Sequence, residues 1–316
     1  MSLLNIVIPD RLIGQRIDSA LAIMLPDFSR SKITNWVRSG KALVNSKTFK
    51  PKEKVLGGEV VALTLVQEKS NAWLGEDIAI DVVYEDDDII VVNKPVGLVT
   101  HPGAGNWTGT LANALLHYDP SLANLDRAGI VHRLDKNTSG LMVVARSELA
   151  QKNLVEQLQT HAVSREYSAI VYGHMISGGT VDAPIGRDPK DRIRQAVVEE
   201  GEGKDAVTHY RVIDRFAHHT HVKCILETGR THQIRVHMSY VEHPLIADSM
   251  YGGKIRFPKK AKEELKDALK GFNRQALHAK KLSLSHPITG EPMSWKAPLP
   301  KDLQDLLGTL SEFDPV

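Results

Sequence analysis

Apolar positions in the first 65 residues follow a helical spacing and then a strand-like spacing. Four of them recur at i, i+3, i+4 and i+7, which is the spacing of an amphipathic helix. These four are Ile17, Ala20, Leu21 and Met24. A second helix is predicted next, with Ser29 or Ser31 as its N-cap and Gly40 after its last turn. Apolar runs at 42–45 and Val60–Leu65 predict short strands.

Beyond residue 80, predicted strands outnumber predicted helices. Apolar runs at 82–84 and 89–93 flank the acidic turn 85–88 and predict a β-hairpin. Runs at 141–145 and 167–172 predict buried strands with a helix between them, and the alternation over 222–227 predicts a half-buried strand. Because strands and helices do not alternate regularly, we expect an α+β fold with a mostly antiparallel, mixed sheet rather than a doubly wound α/β fold.

The chain of 316 residues, 42% apolar, suits two domains and excludes general disorder. Residues 66–79 lack periodicity, so we predict a first domain over 1–66, a linker over 67–77 and a second domain over 78–316. A single cysteine, Cys224, excludes a disulfide framework and favours a reducing compartment. The start of the chain does not match a signal peptide and no apolar run reaches membrane-spanning length, so we expect a cytoplasmic protein without membrane contact.

Positive charge is concentrated in the predicted first domain. Residues 1–70 hold 11 of the 40 Lys and Arg and 6 of the 38 Asp and Glu, a net charge of +5, while the remainder carries −3. A basic run is often only a solvated surface. Here the two predicted helices and the sheet would bring four basic residues together on one edge, which favours contact with a polyanion. These four are Arg30, Lys32, Arg38 and Lys41.

Polar clusters in predicted loops are the candidates for chemistry in the second domain. They lie at 93–98 with 101–103, at 129–141, at 165–167 and at 227–237. No glycine-rich dinucleotide fingerprint, Walker loop or His-Glu-x-x-His sequence occurs, so no cofactor is expected. All 14 histidines lie beyond residue 100, but without a carboxylate or cysteine at ligand spacing we expect no metal site.

Several of these residues have two interpretations. Asp135 lies between two basic residues that favour an ionised carboxylate. It could be a turn or helix-cap residue, which is the commoner role, or a nucleophile or base. Tyr167 could be a structural aromatic residue or a ring on which a base stacks. Arg230 and Arg235 could be surface charges, or one of them could be the buried partner of a carboxylate or phosphate.

The basic segment resembles the alpha-L RNA-binding module found in a ribosomal protein and in several RNA-modifying enzymes. The matching stretches are Gly-Gln-Arg-Ile-Asp at 14–18, Ser-Arg-Ser at 29–31 and Gly-Lys-Ala-Leu-Val-Asn at 40–45. The second domain resembles the RluA-type pseudouridine synthases. Two highly specific motifs carry this likeness, His-Arg-Leu-Asp-Lys-x-Thr-Ser-Gly at 132–140 and Gly-Arg-Thr-His-Gln-Ile-Arg-Val-His at 229–237.

The family resemblance covers nearly the whole chain and implies an enzyme that isomerises uridine to pseudouridine in RNA without a cofactor. Asp135 would be the catalytic carboxylate, Tyr167 would pack against the target base and assist proton transfer, and Arg230 would pair with Asp135. Arg133 would fill the gap left by a flipped nucleotide, and Ile234 would line the pocket. From the polar clusters we further expect substrate contacts by His132, Arg235, Asn93, Lys94 and His101.

The nearest likeness within the family implies a target in large-subunit 23S ribosomal RNA, the stem-loop called helix 69. The substrate would be free RNA or a pre-50S particle, and we expect a monomeric enzyme. A sibling acting on other ribosomal or transfer RNA uridines and a non-catalytic assembly factor that binds ribosomal RNA remain alternatives. A glycosidase would need a matching second carboxylate, which is not found, and would leave the basic module unexplained. A helix-turn-helix DNA-binding regulator would explain only the first domain.

Overall fold

The computed structural model describes residues 2–26, 28, 30–65, 73–103, 105–191 and 193–316. The chain divides into two compact units, Met1–Ala72 and Trp73–Val316, and the division falls inside the predicted linker. Residues 73–80 form neither helix nor strand, and 66–72 lie outside the described residues. Within the described ranges, no helix combines the length and the apolar character that a membrane span requires.

The first unit packs two helices against a four-stranded antiparallel sheet of order β1-β4-β2-β3. Both predicted helices are present, and the four predicted apolar residues of the first helix are buried or packed against the core. Ser29 and the side chain of Ser31 lie outside the described residues, so the predicted N-cap stays a prediction. The elements are β1 Ser2–Val7, α1 Ile17–Met24, α2 Arg30–Arg38, β2 Ala42–Val44, β3 Lys47–Thr48 and β4 Val60–Leu65.

The second unit is built on a nine-stranded sheet of order β5-β6-β7-β14-β8-β13-β12-β9, with β15 paired to β14. Every pairing is antiparallel except that of β7 with β14, so the expected mixed, mostly antiparallel sheet is confirmed. Its strands are β5 Asp81–Glu85, β6 Ile89–Lys94, β7 Ser139–Ala145, β8 Ser164–Tyr172, β9 Gly179–Asp182, β12 Val207–Arg215, β13 His219–Leu226, β14 Leu277–Ser285 and β15 Pro292–Lys296.

Five α-helices and a short hairpin accompany this sheet in the part of the second unit that the structure describes. The hairpin consists of β10 Ile185–Arg187 and β11 Gln195–Val197. The helices are α3 Leu111–Tyr118, α4 Glu148–Gln159, α5 Gln233–Tyr240, α6 Glu263–Gly271 and α7 Lys301–Phe313. Of these, α3 begins with a capping box in which the Thr110 and Asn113 side chains bond each other's backbone N–H groups.

Strand β7 is the buried centre of the second unit. All seven of its residues are buried, and its side chains alternate between two apolar clusters, with Met142 in one and Val143 in the other. At its start, Gly140 has a φ of +117°, and a Cβ there would lie 2.2 Å from the Ala279 carbonyl oxygen on β14. Only glycine allows this close approach of the two parallel strands. The loop that contains Asp135 leads directly into the start of β7, where Gly140 packs against Ala279.

Candidate active site

A cavity of about 490 Å³ opens in the second unit between the loop before β7, strand β8 and the start of α5. This volume lies in the usual range for small-ligand sites. Eight of the ten residues expected to be catalytic or substrate-binding line the cavity. These eight are His101, His132, Arg133, Asp135, Tyr167, Arg230, Ile234 and Arg235.

Asn93 and Lys94 do not line the cavity, and their expected contact with substrate stays a prediction. Lys94 is 1% exposed, and its Nζ donates hydrogen bonds to the carbonyls of Pro95, Leu98 and Lys136. Burial lowers the pKa of Lys94 to about 7. Asn93 donates from Nδ2 to the Asp81 carboxylate on the neighbouring strand β5. Lys94 therefore ties the 95–98 turn to the Asp135 loop, and Asn93 joins two strands.

The Asp135 loop is held by donors from several segments. Besides Lys94, the Thr100 hydroxyl donates to the Leu134 carbonyl at 2.8 Å, and Arg274 donates to the Asn137 carbonyl at 3.3 Å. The Thr138 amide donates to the carbonyl of Asp135 itself at 3.0 Å, closing a tight turn. These bonds fix the backbone on both sides of the Asp135 carboxylate.

Arg235, not Arg230, is the arginine that pairs with Asp135. Arg235 Nη1 donates to Asp135 Oδ2 at 3.0 Å, while its Nε and Nη2 donate to the fully buried carboxylate of Asp248 at 2.6 and 2.9 Å. These neighbouring carboxylates raise the pKa of Arg235 despite its burial. Arg230 instead donates from Nε to the Asp205 carbonyl. The two arginines are five residues apart across the start of α5, so only Arg235 is on the helical turn that faces Asp248.

His232 gives Asp135 a second polar neighbour. The Tyr251 hydroxyl accepts from the Gln195 amide at 3.0 Å and lies 2.8 Å from His232 Nδ1. In the neutral ring that carries its proton on Nε2, Nδ1 accepts from the hydroxyl and Nε2 lies 3.8 Å from Asp135 Oδ1. Burial lowers the pKa of His232 and favours this neutral form. His232 itself has a left-handed backbone, with φ of 60°, where the chain turns into α5.

Tyr167 forms part of the cavity wall on β8 and is 6% exposed. Burial raises the pKa of Tyr167, the Arg165 guanidinium opposes this rise, and the Asp135 carboxylate adds to it. The phenol is therefore protonated at neutral pH, so it can donate a proton or stack its ring on a base, but it does not supply a negative charge.

His132 and His101, the two histidines expected to bind substrate, line the cavity and are both neutral at pH 7. His132 Nε2 accepts a hydrogen bond from the Val143 amide, and burial lowers the pKa of His132 to about 3. Burial, with the charges of Arg133 and Arg127, lowers the pKa of His101 to about 4. The His101 ring stacks on Trp73 with centroids 6.4 Å apart. His132 thus has a structural bond to β7, and His101 presents an uncharged ring.

Gln233 organises the loop that carries Arg230. Its Oε1 accepts from the Thr228 hydroxyl and the Arg230 amide, while its Nε2 donates to the Val207 carbonyl and the Thr208 hydroxyl. All four hydrogen-bonding positions of this buried amide are therefore used. Next to it, Ile234 is 3% exposed and provides an apolar surface inside the cavity. Sequence reasoning did not single out Gln233 or Asp248, because neither residue type signals a positioning role on its own.

The cavity is strongly positive. Asp135 is the one carboxylate among its lining residues in the described part of the chain, and five arginines line the same walls. These are Arg127, Arg133, Arg165, Arg230 and Arg235. Since Arg235 is matched by Asp135 and Asp248, the other four guanidinium groups favour an anionic ligand. The partly exposed Asp135 carboxylate is thus surrounded by positive charge.

One cluster outside the cavity has the residue types of a metal site. Asp86, Asp88 and His286 offer ligand atoms within 4.8 Å of one another. Asp86 Oδ1 already accepts from the amides of Asp88 and Ile89, and its Oδ2 accepts from the Tyr84 hydroxyl and His286 Nε2. The cluster is therefore explained by closure of the β5–β6 turn.

The first unit has a shallow groove lined by Arg16, Asp18, Arg30, Thr34, Asn35 and Arg38. It includes two of the four residues predicted to bind RNA, Arg30 and Arg38. Lys41 follows α2 and does not line the groove, and the Lys32 side chain lies outside the described residues. Asp18 is buried and accepts from Arg16 and Arg30, so part of the positive charge is neutralised within the unit.

The second unit thus combines a mostly antiparallel sheet with a carboxylate, a tyrosine and arginines around one basic cavity. Residues 88–240 match the family described as RNA pseudouridylate synthase. The chain is 52% identical over 311 residues to "Ribosomal large subunit pseudouridine synthase D" of Xanthomonas campestris, covering 98% of this chain and 93% of that protein. The chain belongs to the pseudouridine synthase family and is an isomerase.

Two further comparisons agree with this assignment. The protein of the same name from Escherichia coli K12 is 54% identical over 305 residues, covering 96% of this chain and 93% of its own length. The solved structure of human RNA Pseudouridylate Synthase Domain Containing 4 has a TM-score of 0.58 at 26% identity, covering 73% of this chain and 93% of that one.

Proposed function

We propose that this protein converts specific uridines of large-subunit ribosomal RNA to pseudouridine, acting on the helix 69 stem-loop with Asp135 as the catalytic carboxylate. The observation that carries the proposal is the Asp135 carboxylate, fixed by Arg235 at the wall of a basic cavity. The relatives of the same family that are named for the ribosomal large subunit support this choice of RNA.

The reaction is an isomerisation in which atoms and electrons balance within the substrate. The N1–C1′ bond of uridine breaks, the uracil rotates, and a C5–C1′ bond forms while the proton on C5 leaves and N1 gains one. Asp135 would attack C1′, attack C6 of the base, or remove a ribose proton to give a glycal, and all three routes use the same carboxylate. Tyr167 would pack on the base and pass the proton, and Arg235 would hold Asp135 in position.

The target nucleotide has to leave the RNA stack to place its sugar and both faces of its base inside the cavity. Flipping costs a few kcal/mol, less in a loop than in a duplex. Arg133 is exposed at the mouth of the cavity, where its side chain would occupy the space left in the RNA. The groove of the first unit would add phosphate contacts through Arg30 and Arg38 that offset the cost of flipping. We further propose that the enzyme acts as a monomer in the cytoplasm, on free RNA or on a precursor particle.

Pseudouridine mapping of ribosomal RNA tests the function. Cells with and without the protein would be compared, together with cells that carry Asp135→Asn at the same expression level. The proposal predicts pseudouridine in helix 69 only in cells with the unaltered protein. Loss of the modification at other ribosomal or transfer RNA positions would instead show a different target, and an unchanged map would show that the protein is not the synthase.

A further inference from the structure

Arg165 is a buried cation without an anionic partner in the described part of the chain. It lies on β8, is 6% exposed and lines the cavity. Its Nη2 donates to the Glu227 carbonyl at 3.0 Å, and its Nε is buried without a hydrogen-bond partner. Among the described residues no carboxylate reaches it. The acids on either side are engaged elsewhere, Glu166 with Lys223 and Lys281 and Glu227 with His209.

The neighbouring loop keeps this guanidinium in place. A Cβ on Gly229 would lie 2.5 Å from Arg165 Nη1, so any side chain at this position would displace the guanidinium. The Glu227 carbonyl fixes its other nitrogen. Arg230 follows directly in the loop and also lines the cavity, and burial together with the charge of Arg230 lowers the pKa of Arg165. The glycine in the 229–237 motif therefore provides room for Arg165.

A buried, unpaired guanidinium is costly, and arginine does not lose its proton to relieve the cost. Its planar fork matches the oxygens of a phosphate, and a second arginine nearby strengthens such a site. Arg165 and Tyr167 project from the same face of β8 about 7 Å apart along the strand. A single nucleotide spans this distance, with its base on Tyr167 and a phosphate on Arg165.

We propose that Arg165, seated against Gly229 and assisted by Arg230, binds a backbone phosphate that flanks the target uridine. The inference rests on the proposed function, because it takes the ligand to be RNA. The cavity would then contact the nucleotide at two points, with Asp135 at the sugar and both Arg165 and Arg230 at the phosphate. The phosphate contact would hold the flipped nucleotide in register with Asp135.

A double-mutant cycle between protein and RNA tests this contact. The RNA is a helix 69 hairpin in which each phosphate flanking the target is replaced in turn by a neutral methylphosphonate. Arg165→Gln and one of the two replacements should each weaken binding about 10- to 100-fold. Combined, they should cause no further loss, because both remove the same contact. Arg165→Lys should recover part of the affinity for unmodified RNA.

Two variants separate a phosphate contact from a folding defect. Gly229→Ala should reproduce the binding loss although Arg165 is still present, since the new methyl group displaces the guanidinium. Lys281→Gln removes a basic residue that pairs with Glu166 outside the cavity lining. Any loss of affinity in this variant should add to the loss that either methylphosphonate causes. Thermal unfolding of each variant is measured alongside to confirm that the second unit is folded.

The outcomes distinguish this inference from the proposed function. Additive losses for Arg165→Gln with both methylphosphonates, or unchanged affinity of Arg165→Gln, would overturn the phosphate contact while pseudouridine formation by the unaltered protein stands. Absence of pseudouridine with the unaltered protein would overturn the function, and the binding cycle would still report on the contact. Failure of the unaltered protein to bind the hairpin would overturn both.

Discussion

Among the arginines that line the cavity, Arg235 should cause the largest loss of unfolding free energy when it is replaced. Arg235→Met leaves the Asp248 carboxylate fully buried with two backbone N–H donors, from Met250 and Tyr251, on Oδ1 and none on Oδ2. Removing one partner of a buried ion pair typically costs about 3–5 kcal/mol. For a unit of this size that corresponds to a fall in the melting temperature of about 6–20 °C.

Urea unfolding followed by circular dichroism measures this loss. The matched control is Arg230→Met, because Arg230 is partly exposed and donates only to the Asp205 carbonyl, and it should change stability by less than about 1 kcal/mol. A second control is the double variant Arg235→Met with Asp248→Asn, which no longer contains the stranded charge and should recover part of the loss. Equal stability of Arg235→Met and the unaltered protein would refute the assignment of Arg235 as the central ion-pair partner.

Two further predictions concern charge and pH. Arg38→Gln should reduce the slope of the logarithm of RNA affinity against the logarithm of salt concentration by the share of about one phosphate contact. The control is Lys50→Gln, at an exposed position outside the groove, which should leave this slope unchanged. Equal slopes for the two variants would contradict a role for the groove. His132 has a folded-state pKa of about 3, below its unfolded value near 6.5, so the unfolded chain binds the proton first and stability falls as the pH drops below 6.5. Between pH 7 and 5 this should remove about 2 kcal/mol from the unfolding free energy, and His132→Gln should flatten that part of the curve; an equally steep curve for the variant would contradict it.

Much of the fold follows from local patterns. The helical spacing at 17–24 and the alternation at 222–226 both appear as predicted, because in each case one apolar face is buried against the core. The acidic turn 85–88 also joins a hairpin as expected. The parallel contact between β7 and β14 could not be predicted, since it joins residues 139–140 to 278–279 and no local pattern reports such a pairing. Helices α6 and α7 were likewise not predicted.

The residues that line the site are easier to predict from the sequence than the ion pairs and hydrogen bonds that they form. The two motifs contain Asp135 and both arginines near α5, the cluster at 165–167 contains Tyr167, and all four residues line one cavity. Which arginine pairs with Asp135 depends on Asp248, which is distant in sequence from Asp135 and carries no motif signal of its own. Lys94 belongs to the polar cluster at 93–98 and is expected from the sequence to bind substrate. Its burial against three carbonyl groups depends on the tertiary structure and gives it a structural role.

The central claim, that the Asp135 carboxylate is the catalytic group, is tested most directly by a single-turnover isomerisation assay of the Asp135→Asn variant. The assay follows pseudouridine formation in a helix 69 hairpin with enzyme in excess, and RNA binding is measured in the same buffer. The amide keeps the size of the side chain but cannot act as a nucleophile or base, so product formation should be abolished while RNA affinity stays within a few-fold of the unaltered protein. Substantial pseudouridine formation by Asp135→Asn would contradict the role assigned to this carboxylate.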